Sequence, residues 1–423
     1  MKVFFSVGEP SGDLHGANLI KELRRLDPGI ECVGYGGPKM AGAGCELHAD
    51  LTQWAVMWIL RVLLNLHHFW RLYRRAGDYF RDASPDAVVL IDYPGFNWWI
   101  ARAAKRHGIP VFYYGVPQMW AWAGWRVRKM RRLVDHVLCK LPFEAEWYRQ
   151  RRCQATYLGH PYFDEVQRQR PDQAFLLAQA ARPGRLVTIL PGSRTQEVVK
   201  NLHSFLAAAA QVQRQVPEVR FAIASFNDKQ AALARDQVAG LDFPVDVFVG
   251  RTPELIRLSH CCLACSGSVS LELLAHTKPT VILYRVGWFP YTLARNLFIR
   301  VKFITLVNLL AAEDPFLRHG TKYDPRAASD SRVPFPEFLT WQDRSAEMAG
   351  QIARWLTDPA SYRDRVRELE ELKRLHGEGG ASQRAATYIL QHLQPAATGP
   401  EPHFERAKMS ERGNRRIKTK KSA

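Results

Sequence analysis

The sequence predicts an α/β protein of two successive domains, each a parallel sheet wrapped by helices. Three observations lead there. Short apolar runs alternate with helical periodicity through the first two thirds of the chain. That rhythm breaks once, near residues 159–172, and then restarts. Four loops of small residues follow predicted strands, the place where open α/β sheets bind their ligands.

The elements are justified in order. Residues 2–7 (KVFFSV) read as a buried strand and 13–26 as an amphipathic helix. Apolar runs at 86–91, 110–114, 134–139 and 155–158 are each flanked by Gly or Pro and separated by helical stretches, the signature of βαβ units. Residues 159–172 (GHPYFDEVQRQRPD) are polar and bracketed by prolines, so they read as a linker. Strands resume at 185–190, 219–225, 245–249, 261–264 and 280–284, with a long helix at 195–216. Residues 311–336 hold Pro315, Pro325, Pro334 and Pro336 with little periodicity, which reads as a surface insertion. Residues 340–356, 360–375 and 382–393 are helical in pattern. The expected division is a first Rossmann-like domain over 1–165, a second over 166–357, helices over 358–394 and a basic tail over 395–423.

The chain has 423 residues, 47% of them hydrophobic and 24% charged, a globular composition with room for two cores. The formal charge is +18. Much of the excess is local: Arg406, Lys408, Arg412, Arg415, Arg416, Lys418, Lys420 and Lys421 crowd the last residues, in a tail too polar to build a core. Seven cysteines include a cluster at Cys261, Cys262 and Cys265, but no second pair stands at zinc-ligand spacing. Buried thiols of a reducing compartment are expected, with no metal and no cofactor. The opening apolar run stops at Gly8-Glu9-Pro10, too short for a secretory core. The longest apolar stretch, 54–66, is interrupted by Arg61 and falls short of a membrane span.

Two stretches join aromatic bulk to cations without any acid. Residues 54–75 carry Trp58, Arg61, Trp70 and Arg71, and residues 284–312 carry Trp288, Phe289, Arg295, Phe298 and Arg300. Such stretches suit an anionic membrane surface. The competing account is core helices whose arginines reach out to water. The presence of two stretches favours the membrane.

Four motifs carry the chemistry. Gly8-Glu9-Pro10-Ser11-Gly12-Asp13 follows the first strand. Its glycines let a ligand approach the backbone, and Glu9 is a candidate base or hydroxyl acceptor, or else a carboxylate satisfied by nearby amides. The motif is neither a dinucleotide fingerprint nor a P-loop. Asp92-Tyr93-Pro94-Gly95-Phe96-Asn97 follows the strand at 86–91. Asp92 can take a proton from an alcohol there, or Asp92 and Asn97 can serve as helix caps. Pro191-Gly192-Ser193-Arg194 precedes the long helix and offers amides and a guanidinium to a diphosphate. Ser266-Gly267-Ser268 leads toward Glu272, placed for two ribose hydroxyls or for an ordinary helix start. The motifs divide the labour: carboxylates in the first domain, anion sites in the second.

Taken in order, these motifs resemble the lipid-A-disaccharide synthase family, glycosyltransferases of the GT-B type. The resemblance rests on GEPSGD (8–13), IDYPGFN (91–97), MWAW (119–122), PFE (142–144), GHP (159–161), LPGSR (190–194), SGSVSLELL (266–274), VNLL (307–310) and PEFL (336–339). Pro10, Gln118-Met119 and Val307 depart from the usual residues. The resemblance implies two Rossmann-like domains facing a cleft, with late helices returning to the first domain. It implies an inverting reaction between UDP-2,3-diacylglucosamine and 2,3-diacylglucosamine 1-phosphate, giving a β(1→6) disaccharide 1-phosphate and UDP. It places Asp92 as base, with Glu9 as runner-up. It places Gly192, Ser193, Arg194, Ser266, Gly267, Ser268, Glu272 and Asn308 at the donor, and Ser11, Gly12, Asp13 and Asn97 at the acceptor loop. Acylated substrates imply a peripheral enzyme on the cytoplasmic face of the inner membrane. The rival accounts are another GT-B enzyme acting on UDP-GlcNAc, an epimerase or soluble transferase, and a basic nucleic-acid-binding protein. No nucleic-acid partner is expected, because no recognised module accompanies the charge. Oligomeric state stays open.

Overall fold

The computed structural model describes residues 1–54, 66–293, 299–316, 323–324, 327 and 333–393. It contains two all-parallel sheets. The first holds β1 (Lys2–Val7), β2 (Glu31–Gly36), β3 (Glu46–Asp50), β4 (Ala87–Ile91), β5 (Val111–Tyr114), β6 (His136–Cys139) and β7 (Ala155–Tyr157), in spatial order β3-β2-β1-β4-β5-β6-β7. The second holds β8 (Leu186–Leu190), β9 (Arg220–Ser225), β10 (Val245–Val249), β11 (Cys261–Cys265), β12 (Thr280–Arg285) and β13 (Glu337–Thr340), in order β10-β9-β8-β11-β12-β13. The order reverses direction beside β1 and β4 in one sheet, and beside β8 and β11 in the other. These are the topological switch points, where a crevice opens at the strands' carboxyl ends.

Burial explains the strands. β4 and β5 are buried at every residue and carry only Ala, Val, Leu, Ile, Phe and Tyr, as strands covered on both faces do. β2 (ECVGYG) was not anticipated, because its glycines hide the apolar pattern. Gly34, at φ +135°, needs no Cβ: one would stand 2.2 Å from the Phe5 carbonyl oxygen of β1. β3 and β13 were also missed. Both are short edge strands, named by their pairing with β2 and β12 rather than by their own hydrophobicity.

The linker region is more ordered than its composition indicates. It contains the helix Tyr162–Arg168, with Phe163, Asp164 and Val166 buried. The Asp164 carboxylate accepts from the backbone N–H groups of Gly380, Ala381 and Ser382, satisfying the free amides at the start of the last helix, Ala381–Leu393. Ala385, Ala386, Ile389 and Leu390 of that helix join the core of the first domain beside the helix Pro10–Leu26. The preceding helix, Pro359–His376, stays with the second domain, where Leu369 and Leu372 are buried. Only the last helix therefore returns, because its apolar face matches the first helix. The helix expected over 340–356 starts later, at Ser345, and runs to Thr357, after β13 ends at Thr340.

Much of the described part of the expected surface insertion and its approach is packed. Val301, Phe303, Leu309 and Val333 are buried within the first domain's cluster. The Arg300 N–H donates to the Ala121 carbonyl at 2.8 Å. Thus a segment of the second half of the chain reaches the first domain. Residues 394–423, including the basic tail, lie outside the described residues.

Candidate active site at the two switch points

At the first switch point β1 ends in Gly8-Glu9 and β4 ends in Asp92. A Cβ on Gly8 would stand 2.3 Å from Tyr93 Cδ1, so the glycine lets the two loops touch. Asp92 and Tyr93 both adopt left-handed backbone, at φ 45° and 43°. Such conformations cost about 1–3 kcal/mol each and persist only where the surroundings impose them. Here the braces are visible. Tyr113 Oη and Asn97 Nδ2 both donate to the Asp92 carbonyl, the latter at 2.8 Å, and Ser6 Oγ donates to Asn97 Oδ1 at 2.7 Å.

Three residues expected at the acceptor loop are placed in the interior by this geometry. Asn97 is fully buried and holds the Asp92 turn from below. Asp13 is buried too: its carboxylate accepts from the N–H groups of Gly37, Lys39 and Met40 at 2.9–3.0 Å, capping the helix Pro38–Gly42. Gly12 is buried against Val7, where a Cβ would lie 2.9 Å from a side-chain methyl. The helix begins at Pro10 rather than Asp13, because proline is preorganised for a first turn. Ser11 remains exposed.

A residue the sequence reading missed completes this site. Lys140 directly follows β6, and its Nζ lies 3.4 Å from Asp92 Oδ1. Burial works against the Lys140 charge, but Asp92, Glu144 and Glu9 outweigh it and hold its pKa above the ordinary value. Burial pushes Glu144 up to about 7, although Trp120 Nε1 and the Lys140 N–H donate to it. Glu9 is raised by burial and by Asp92, against the opposing pull of Arg194 and Lys140. A charged residue one step past a buried strand was the available signal for Lys140.

At the second switch point β8 ends in Pro191-Gly192-Ser193-Arg194 and β11 in Ser266-Gly267-Ser268. Gly192 has φ +134°, and a Cβ there would stand 2.5 Å from that of Glu197. The Glu197 carboxylate accepts from the N–H groups of Ser193 and Arg194, both at 3.1 Å. These amides, expected to hold a diphosphate, are therefore already engaged. The Arg194 guanidinium, 79% exposed and 3.3 Å from Glu197 Oε1, is the group left to reach a ligand. Ser266 Oγ donates to the Ile304 carbonyl, while Gly267 and Ser268 stay exposed.

Glu272 is buried, accepting from Tyr162 Oη at 3.0 Å and from Gln169 Nε2 at 2.7 Å, and its pKa is raised by burial. Asn308, expected at the donor, is a buried brace in this structure. Its amide bonds the Phe335 carbonyl and N–H and Glu337 Oε2, tying the helix Leu306–Ala311 to the approach of β13. A cavity of about 630 Å³ opens here, lined by Gly192, Ser193, Arg194, Ser266, Gly267, Ser268, Glu272 and Tyr162, with Leu14 contributed by the first domain. Phe226, just past β9 and 69% exposed, also lines it and was missed. Its signal was an aromatic at a strand's carboxyl end.

Of the expected membrane contacts, Trp70 and Arg71 project from the helix Leu66–Ala83, whose Phe69, Leu72, Ala76 and Phe80 face the core. Arg74 lies over the Trp70 ring at 4.7 Å. Trp288 and Phe289 are 60% and 66% exposed, and Arg300 is exposed. Trp58, Arg61, Arg295 and Phe298 lie outside the described residues. Among the described residues no helix is long and apolar enough to cross a membrane, and no cluster of His, Cys, Asp and Glu is arranged to hold a metal. All seven cysteines are buried free thiols.

Two parallel sheets, each with a ligand crevice at its switch point, define an α/β architecture of the GT-B type. Solved structures agree on the fold. The UDP-GlcNAc 2-epimerase of Neisseria meningitidis bound to UDP-GlcNAc aligns with a TM-score of 0.57 at 13% identity, over 93% of this chain and 99% of that one. A calicheamicin glycosyltransferase aligns with a TM-score of 0.54 at 15% identity, over 93% and 98%. The family model for lipid-A-disaccharide synthetase matches residues 3–318. The lipid-A-disaccharide synthase of Geobacter sulfurreducens is 34% identical over 399 residues, 93% of this chain and 97% of that protein. That of Anaeromyxobacter dehalogenans is 33% identical, covering 92% and 97%. The chain belongs to the lipid-A-disaccharide synthase family of glycosyltransferases.

Proposed function

We propose that the chain joins UDP-2,3-diacylglucosamine to 2,3-diacylglucosamine 1-phosphate. Asp92 takes the proton of the acceptor 6-hydroxyl as that oxygen bonds the donor's anomeric carbon from the face opposite UDP. The bond to UDP breaks, its electron pair leaves on the diphosphate, and a β(1→6) disaccharide 1-phosphate forms. Arg194, with the exposed Gly267-Ser268 loop, receives the diphosphate; Glu272 meets the ribose; Glu9 orients the acceptor. A guanidinium aimed at developing charge in a partly closed site is worth more than in water.

The observation that supports this most is the opposition of charge: Glu9 and Asp92 on one switch point, Arg194 on the other, close enough for Arg194 to act on Glu9. The exposed Trp70, Arg71, Trp288, Phe289 and Arg300 support docking at the cytoplasmic face of the inner membrane, where acylated substrates lie. The test is UDP release from the diacylated donor. UDP is expected only when the lipid acceptor is present. Equal release without acceptor, or conversion of UDP-GlcNAc to its 2-epimer, would overturn the assignment.

A further inference from the structure

Lys140 and Asp92 leave different strands, β6 and β4, and β5 lies between them in the sheet. They meet past the end of β5, over Gly115. That residue sits at φ +67°, and a Cβ on it would stand 3.3 Å from Lys140 Nζ and 3.6 Å from Asp92 Oδ1. A side chain there would approach Lys140 Nζ tightly and Asp92 at ordinary contact distance. Through this gap Lys140 bonds Asp92 Oδ1, while Asp92 Oδ2 has no hydrogen-bond partner among the described residues.

We infer that Lys140 is the positioning residue of the base: its ammonium holds one oxygen of Asp92 and turns the other toward the acceptor hydroxyl. The inference rests on the proposed role of Asp92. The pair is asymmetric, which selects between the two carboxylates of this switch point. Lys140 touches Asp92 directly, whereas it acts on Glu9 only at a distance, so Asp92 is the one it orients.

The other ionisable groups around the pair leave this assignment standing. Glu144, on the helix Pro142–Arg149, is engaged by Trp120 and the Lys140 N–H. His15 of the first helix and His160 before the helix Tyr162–Arg168 are buried, and both are pushed below the ordinary histidine range by burial and then by Lys140. They therefore add no positive charge near neutral pH. Tyr113 and Tyr114 of β5 and Tyr93 of the turn are all raised by burial and stay neutral. Arg194 of the second domain faces Glu9. Lys140 is thus the cation in contact with Asp92.

The experiment is a set of kcat–pH profiles on the full-length protein with lipid acceptor. Losing the cation that contacts this carboxylate should displace the acidic limb upward in Lys140→Met. Lys140→Arg should restore the limb to within a few tenths of a unit. Lys140→Gln keeps polarity without charge and serves if Lys140→Met fails to fold; it should shift the limb as Met does. In Asp92→Asn/Lys140→Met the loss should match that of Asp92→Asn alone, because one residue acts through the other. An unmoved limb in both charge-removing variants, or a uniform loss at every pH that Arg does not rescue, would overturn the role of Lys140 while leaving Asp92 as base. Retention of the acidic limb in Asp92→Asn would overturn both.

Discussion

The two switch points share a topology and differ in charge. Each is a pair of loops past neighbouring parallel strands with a glycine at a close approach: Gly8 beneath Tyr93 of the other loop in one, Gly192 beside Glu197 of its own following helix in the other. The first gathers Glu9, Asp92 and Lys140 in a half-buried pocket, where burial and mutual repulsion raise Glu9. The second presents an exposed guanidinium and open Gly267-Ser268 backbone to a cavity. The fold supplies the address in both cases, and the side chains decide whether it handles protons or anions. Single substitutions should therefore fail differently in the two halves.

The largest effect belongs to the first switch point. Asp92→Asn keeps shape and hydrogen bonding but removes basicity, and should lower turnover by about two to four orders of magnitude. Binding of UDP, measured by calorimetry, should stay near wild type if the nucleotide sits on the other domain as proposed. Weakened UDP binding in Asp92→Asn would break the division of labour. Arg194→Ala should act the other way round. It should lower kcat/KM by about two orders of magnitude, roughly 3 kcal/mol, and weaken UDP binding as well. Normal turnover and normal UDP affinity in Arg194→Ala would remove the diphosphate from this loop.

The sequence made the strand ends and their motifs legible because glycine, proline and charge cluster where a buried strand stops. It did not distinguish a side chain that faces a ligand from one that holds the loop. Asp13, Asn97 and Asn308 sit in or beside the motifs, yet each is buried and engaged by partners within the fold. A polar residue near a glycine loop suits both tasks, and only the packing around it decides. Lys140 shows the converse. Its only local mark is a charge just past a buried strand, and its meaning arises from a contact with a residue 48 positions earlier in the chain. β2 and the helix Tyr162–Arg168 were hidden for a similar reason: close approach to a neighbour, not their own periodicity, stabilises them.

The same contrast extends to the surface, where the smallest effect is expected. The first domain offers Trp70 with Arg71 and Arg74 on the exposed side of a helix whose other side is core. The second offers Trp288 and Phe289, bulkier and more apolar. If both patches lie on an anionic bilayer, the first should contribute mainly charge and the second mainly burial of rings. A lysine or arginine near such a surface contributes about 1 kcal/mol, so Arg71→Gln should weaken binding to anionic vesicles about fivefold. That loss should shrink as salt rises, since the attraction fades beyond a Debye length. Trp288→Ala should weaken binding to a degree that salt hardly changes. Co-sedimentation across a salt series reads both at once. Equal salt dependence in the two variants would erase the distinction between the patches, and unchanged binding in both would place the membrane contact elsewhere on the molecule.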